Sequence, residues 1–477
     1  MTAMFWPVVI FMAISLAIGL YTYTQVQGSS RRYTVCGKSM PFLVVGTALA
    51  AQSIDGNATL GNTSLTFSNG VWAGLAIPVG LALSLLLVGR FLAEPLNRMD
   101  LLTLPEFFYR RYGKSTELVT SVITVTCFIV LIAGNLSAVA WILSNVSGLS
   151  YGSALAIGTG VILLYTIAGG LYAAIWTDFF QIHIAIIGFL LGAGWLCWNH
   201  GFDTIMAAVP AATLSLSQMF TVEGGGLVNW AALLSLAVGN AMALDFMERV
   251  FSARTPGTAR KACYYAAGWT LVIGLCASFL GLAGLSLMTG VTDARMVLPQ
   301  LANGVLPFWI GVLIFVGVLG ASMSTANGAM LVISVVLARN IFQRWSSRRL
   351  TDQTLLFLSR AFALPTAALA GWLAFVRPEP GVLLVVAFDI VFAGCVVPLF
   401  FGVHWPRANA NGALAAILTG TTARVVCHFT VPPHLAGLDT LLPPLFSLGA
   451  FLAVSLLTET AEAFRPSTES LDEALDG

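Results

Sequence analysis

The chain has 477 residues, of which 58% are hydrophobic and 9% charged, with a formal net charge of +1. An average soluble domain carries roughly 25% charged residues, so this composition excludes a surface kept in water and points to lipid. The near-zero charge leaves no bulk field to attract nucleic acid, and the absence of a GxxxxGK phosphate loop excludes an ATP-driven pump.

No charged or Pro/Ser-rich linker divides the chain. Residues 1–460 read as one transmembrane domain with a core over 41–402, and 461–477 as a short acidic cytoplasmic tail. The N-terminal apolar stretch from Met4 to Tyr21 lacks a basic leader and a small-residue cleavage site, so it reads as a first span rather than a signal peptide. Stretches of about 20 apolar residues follow near 41–69, 70–92, 115–143, 150–172, 174–198, 228–250, 259–288, 305–337, 355–376, 380–402, 408–426 and 440–459. With the N-terminus outside, inner loops collect 19 of the 22 basic residues, leaving only Arg295, Arg377 and Arg424 outside. Loops rich in Lys and Arg stay cytoplasmic, so the expectation is a multi-pass plasma-membrane protein with a cytoplasmic C-terminus.

Two spans look interrupted. The second carries Ser53, Asp55, Gly56 and Asn57 at its middle, and the seventh carries Gly239-Asn240 after an apolar half. Unpaired backbone in lipid costs several kcal/mol per group, so broken helices persist only where they line a cavity. Breaks five spans apart fit a five-plus-five inverted repeat, in which freed carbonyls and half-helix termini bind ion and solute. The fold class expected is all-α, about 13 transmembrane helices, with two broken ones. The alternative is that Gly and Asn merely permit close packing.

Several stretches, in order, carry a family resemblance: RYTVCGKSMP (Arg32–Pro41), LLTLPEFFYRRYG (Leu101–Gly113), YTIAGGLYAAIWTDFFQ (Tyr165–Gln181), ERVFSARTPGTAR (Glu248–Arg260) and GASMST (Gly320–Thr325) followed by LVISVVLARNIF. Together they resemble the sodium:solute symporter family, which includes proline, sialic acid, glucose and choline transporters. The resemblance implies a leucine-transporter-type core and a sodium ion held by the carbonyls of Ser53, Gly56 and Ala321 and the hydroxyls of Ser324 and Thr325. Those hydroxyls could otherwise be ordinary packing groups bonded back to carbonyls.

Asp55 is a carboxylate at bilayer depth, a functional candidate on cost alone. It matches an aspartate of the proline transporter that serves sodium coupling, and a helix N-cap is its structural alternative. Asp178 matches a family aspartate tied to a second sodium site or the ion's exit path, the alternative being a cap beside Thr177. Asp389 has no motif behind it and reads as a partner for a neighbouring helix. Asp245, Glu248 and Arg249 read as local pairing on a solvated face, and no Lys or Arg is placed mid-membrane in the core. Candidate solute residues are Asn57, Thr59, Asn62, Thr63, Asn135, Gly239, Asn240 and Ala243, with Ser137 nearby. Thr59 stands where the proline transporter has an aromatic, and Ala243 where choline transporters have one, so neither substrate is copied.

The function expected is sodium-coupled import of a small polar solute, an amino acid or similar zwitterion, by a monomer. The alternatives are a sodium- or proton-coupled monocarboxylate symporter and a transporter-like sensor. No enzymatic motif is present. The cysteines at 36, 127, 197, 263, 276, 395 and 427 are scattered without C-x-x-C spacing and read as packing residues.

Overall fold

A computed structural model describes residues 3–346 and 350–458; the tail from Glu459, with Arg465, and the basic residues Arg348 and Arg349 lie outside the described residues. The helices that build the domain are α1 (Phe5–Tyr21), α2 (Phe42–Ser53), α3 (Gly56–Asn69), α4 (Val71–Leu87), α5 (Lys114–Ser147), α6 (Tyr151–His200), α7 (Gly226–Leu234), α8 (Leu244–Ser252), α9 (Pro256–Leu287), α10 (Phe308–Val336), α11 (Asp352–Val376), α12 (Pro380–Gly394), α13 (Val396–His404), α14 (Ala410–Thr430) and α15 (Pro443–Leu457). Nine helical segments among the described residues are long and apolar enough to cross a membrane, and two further pairs qualify when each bent pair is one span. The bends are 47° between α7 and α8 and 51° between α12 and α13.

Both expected breaks are present. Between α2 and α3, Ile54 (φ −99°, ψ 57°) and Asp55 (φ −85°, ψ 178°) leave helical geometry. Between α7 and α8 the chain passes through a π turn (Ser235–Gly239) and a 3₁₀ turn (Asn240–Met242) before Ala243 extends. The two broken helices are tied at one end, where the Met40 N–H donates to the Ser252 carbonyl and the Arg254 N–H to the Met40 carbonyl, each at 3.0 Å. α10 is buried along nearly all its length and packs on α6, α5, α2 and α3, which makes it the axis of the core.

The spans expected at 150–172 and 174–198 follow each other within α6, two helices that meet at a kink with no loop between them. The kink is at Gly170 (φ 56°, ψ −136°). A Cβ at Gly170 would lie 2.4 Å from Tyr33 Cδ2 and 2.6 Å from the Tyr33 carbonyl, in a backbone region costly to L-residues. Gly170→Ala is therefore expected to lower stability by at least about 1–3 kcal/mol, read as a fall in the melting temperature of the purified protein. An unchanged melting temperature would contradict the strain.

Candidate functional site

At the first break Asp55, 2% exposed, closes the N-terminus of α3. Its Oδ1 accepts the Ala58 N–H at 2.6 Å, and its Oδ2 accepts Asn57 Nδ2 at 2.9 Å and Asn135 Nδ2 at 2.8 Å. The carboxylate is thus both a helix cap and the hub that joins α3 to α5. Because both amides spend a nitrogen on Asp55, their oxygens are left over: Asn57 Oδ1 and Asn135 Oδ1 are buried without a hydrogen-bond partner. Thr59 Oγ1 donates to the Asp55 carbonyl at 2.8 Å, and Ser137 Oγ bonds back to Ala133.

Gly239 and Asn240 sit at the second break. A Cβ at Gly239 would lie 2.8 Å from both the Phe388 carbonyl and Phe392 Cβ, so only glycine permits α12 to approach this closely. Asn240 is fully buried, and neither its Oδ1 nor its Nδ2 finds a partner. An unsatisfied buried amide costs about 1–3 kcal/mol. Ala243, fully buried, starts α8.

Asn62 and Thr63 are directed elsewhere, onto α9. Asn62 Nδ2 donates to the Gly274 carbonyl at 2.7 Å, while its Oδ1 accepts Ser278 Oγ at 2.7 Å and Thr66 Oγ1 at 3.2 Å. Thr63 Oγ1 bonds the carbonyls of Thr59 and Ala277. Their polar capacity is spent on holding two helices together.

The buried C-terminal end of α2 faces α10. The last carbonyls of a helix lack internal partners, and Thr325 Oγ1 stands 3.5 Å from the Gln52 carbonyl. Ser53 Oγ is buried without a partner. Ser324 Oγ donates to Asp178 Oδ1 at 2.5 Å, which leaves its lone pairs available to a cation. Gly56 lies against Ser322 and Ala138, where a Cβ would sit 1.8 Å from Ser322 Oγ, and Ala321 is buried beside them on α10.

One alternative and one expectation fall here. Asp178 is not a helix cap: it lies mid-way along α6, while Thr177 Oγ1 bonds back to the carbonyls of Ala173 and Ala174. The 245–249 face is not solvated, because Asp245, Glu248 and Arg249 are at most 1% exposed. Arg249 is a basic residue deep in the core after all. Its Nη2 and Nε reach Asp178 Oδ2 at 2.7 and 3.2 Å, and its Nη1 donates to the Asp245 carbonyl at 3.0 Å. The Gln52 amide, its nitrogen turned to Asp245 Oδ2 (2.9 Å) and its oxygen to Arg249 Nη2 (2.8 Å), completes the cluster, with Ser324 Oγ also at 2.8 Å. Sequence reading missed Arg249 and Gln52. The signal available was that Arg249 is flanked by Met247, Val250 and Phe251, an apolar setting for a solvated charge.

Asp389 pairs with Arg424 on α14 at 2.5 Å and accepts Thr440 Oγ1 at 3.1 Å. A cavity of about 280 Å³ opens beyond α3, lined by Leu60, Gly61, Trp141, Arg295 and Glu379 among others. No cluster of three His, Cys, Asp or Glu side chains suited to a metal occurs among the described residues.

Paired broken helices, tied together and packed on a buried central helix, define a secondary transporter rather than an enzyme. The chain belongs to the sodium:solute symporter family, whose model matches residues 33–420. It is 25% identical over 439 residues to a sodium/proline symporter of Haemophilus influenzae, covering 87% of this chain and 86% of that protein. The human high affinity choline transporter 1 is 23% identical, with 88% and 75% covered. A Na+-coupled sialic acid symporter solved in a substrate-bound outward-open state superposes with a TM-score of 0.81 at 16% identity, over 97% of this chain and 99% of that chain, which shows the shared fold.

Proposed function

We propose that this symporter uses sodium to import a small zwitterionic solute, an amino acid or close analogue. The observation that carries the reading is the set of acceptors around the first break. The Asp55 carboxylate and the leftover oxygens of Asn57 and Asn135 offer negative charge and lone pairs with no competing cation bonded to them. An ammonium or secondary amine supplies the matching N–H donors. Asn240, Thr59, Gly239 and Ala243 line the remainder, and Asn240 Nδ2 can donate to a carboxylate. The relatives named for proline and choline both carry cationic nitrogen, in keeping with this choice. A monocarboxylate has less support, since the one fully buried guanidinium among the described residues is committed to Asp178.

Sodium in this reading binds at Ser53, Gly56, Ala321, Ser324 and Thr325, with Asp55 and Asp178 as coupling carboxylates. The chain crosses the membrane thirteen times as a monomer, α6 counting as two crossings and α2–α3 as one, with the N-terminus outside. Uptake in proteoliposomes is expected to follow an inward sodium gradient and to respond to voltage, one charge gaining about 2.3 kcal/mol per 100 mV. Replacing Ser324 and Thr325 together by Ala is expected to raise the sodium concentration for half-maximal uptake at least several-fold. Sodium dependence unchanged in that variant would refute the ion site, and equal uptake on a proton gradient in sodium-free buffer would refute the coupling ion.

A further inference from the structure

Three carboxyl groups and one guanidinium share the buried cluster at the inner end of the second broken helix: Asp178, Asp245, Glu248 and Arg249. One fixed cation balances one anion, and a surplus of bare negative charge in a water-excluded interior is prohibitively costly. Two carboxyl groups remain beyond the one that Arg249 balances, and their hydrogen-bond donors separate the one that can stay charged from the one that cannot. Asp178 holds Arg249 and Ser324. Asp245 accepts its neighbour's Phe246 N–H at 3.0 Å and the Gln52 amide. Glu248 is fully buried, and neither Oε1 nor Oε2 has a hydrogen-bond partner.

Among the described residues, the cations on the elements packed against α8 are engaged elsewhere or in solvent. Arg31 and Lys38 pair with Asp100, Arg32 bonds Gln27, Arg111 bonds the carbonyls of Gly402 and Trp405, and Lys261 is exposed. α2 and α10, both packed on α8, contain no titratable side chain. The segment 30–38 brings Tyr33 and Cys36 near enough to sense the Glu248 charge. The Tyr33 hydroxyl is occupied with the Thr166 carbonyl at 3.0 Å. The flanking helix ends hold charges that pair among themselves: Glu94 with Arg98 and Arg260, and Glu106 with Arg110.

We propose that Glu248 is a proton-binding site that controls closure of the cytoplasmic side. With the inner face sealed, Glu248 is the neutral acid. When α8 separates from α2 and segment 30–38, water reaches the carboxyl, its O–H bond breaks and the proton passes to the cytoplasm; resealing takes one proton back. The sidedness rests on the orientation proposed above, the chemistry on the cluster alone. Because the sealed state binds the extra proton, acid favours sealing and alkali favours opening, by up to about tenfold per pH unit for one proton.

The test uses the full chain in lipid nanodiscs, with protons and sodium as probes. Infrared spectra of the wild type at neutral pH are expected to contain a protonated carboxylic-acid band that is missing from Glu248→Gln. Alkylation of the buried Cys36 by N-ethylmaleimide, followed by peptide mass spectrometry between about pH 6 and 9, reports opening. Wild-type labelling is expected to climb relative to Glu248→Gln as pH rises. Simple charge repulsion of the thiolate by Glu248 runs the other way and slows the wild type. A band shared by both proteins, or a labelling ratio flat or falling with pH, overturns the proposal. If the Gln variant does not fold, Glu248→Met serves, being of similar length without charge. Sodium added to the same samples is expected to alter Cys36 labelling in both proteins. Its failure to do so with the pH response intact would sink the sodium reading and leave the proton site standing.

Discussion

Replacing Arg249 by Met is expected to destabilise the protein by about 3–5 kcal/mol, the usual penalty for stranding one member of a buried ion pair. Arg249 and Asp178 are both 0% exposed and stand 2.7 Å apart. The same guanidinium touches the Gln52 amide and lies against Gly328, where a Cβ would fall 2.9 Å from Nη2. Removing it leaves Asp178 with Ser324 alone as a firm partner and Asp245 with one fewer neighbour of opposite charge. Lysine is a poor substitute, because a single ammonium cannot bond Asp178 and the Asp245 carbonyl with the planar fork that arginine uses. The control that separates charge from packing is the double variant Asp178→Asn with Arg249→Met, in which no unpaired ion remains. It is expected to recover a large part of the lost stability, although sodium-driven uptake should stay impaired if Asp178 takes part in coupling. Thermal unfolding of the purified proteins decides it. An Arg249→Met protein as stable as the wild type would mean that the pair carries no weight in the fold, and a double variant no better than the single would assign the loss to packing.

How far the sequence reached depends on which side chains meet only through tertiary structure. The breaks were legible because a carboxylate beside Gly56 in an apolar run, and Gly239-Asn240 in another, leave few ways to satisfy the backbone in lipid. The hydroxyl pair Ser324-Thr325 entered as sodium ligands through the family resemblance, and in the structure Thr325 Oγ1 stands 3.5 Å from the Gln52 carbonyl at the end of α2. Asn62 and Thr63 look like their neighbours Asn57 and Thr59 in composition, yet lie about one turn further along α3, rotated toward α9. Helical phase alone does not reveal which neighbour occupies that side. Asp245, Glu248 and Arg249 follow the i, i+3, i+4 spacing of an exposed charged face. Only the passage of α6 across them, delivering Asp178, turns that face inward. The bend at Gly170 was hidden for a different reason: Gly169-Gly170 fell inside an apolar run, and a turn between spans was expected a few residues later.

Asp55→Asn is expected to fold and insert normally yet lose most sodium-driven accumulation. Geometry makes this a demanding comparison, because Asp55 demonstrably caps α3: Oδ1 takes the Ala58 N–H and Oδ2 takes two amide nitrogens. Asn ranks beside Asp as an N-cap, so its oxygen can keep the Ala58 bond. The amide nitrogen would then face Asn57 Nδ2 and Asn135 Nδ2, donor against donor. Either both amides rotate and present their leftover oxygens to it, or one bond is lost at about 0.5–1.5 kcal/mol. Both outcomes preserve the fold while removing the negative charge that the proposed ammonium and cation require, and the first also consumes the two amide oxygens. Asp55→Glu keeps the charge but displaces the carboxylate by one methylene, and is expected to retain partial uptake with weakened sodium affinity. Transport per correctly inserted molecule, measured against sodium concentration, is the deciding quantity. Wild-type uptake and sodium affinity in Asp55→Asn would reduce Asp55 to a cap and remove the coupling role.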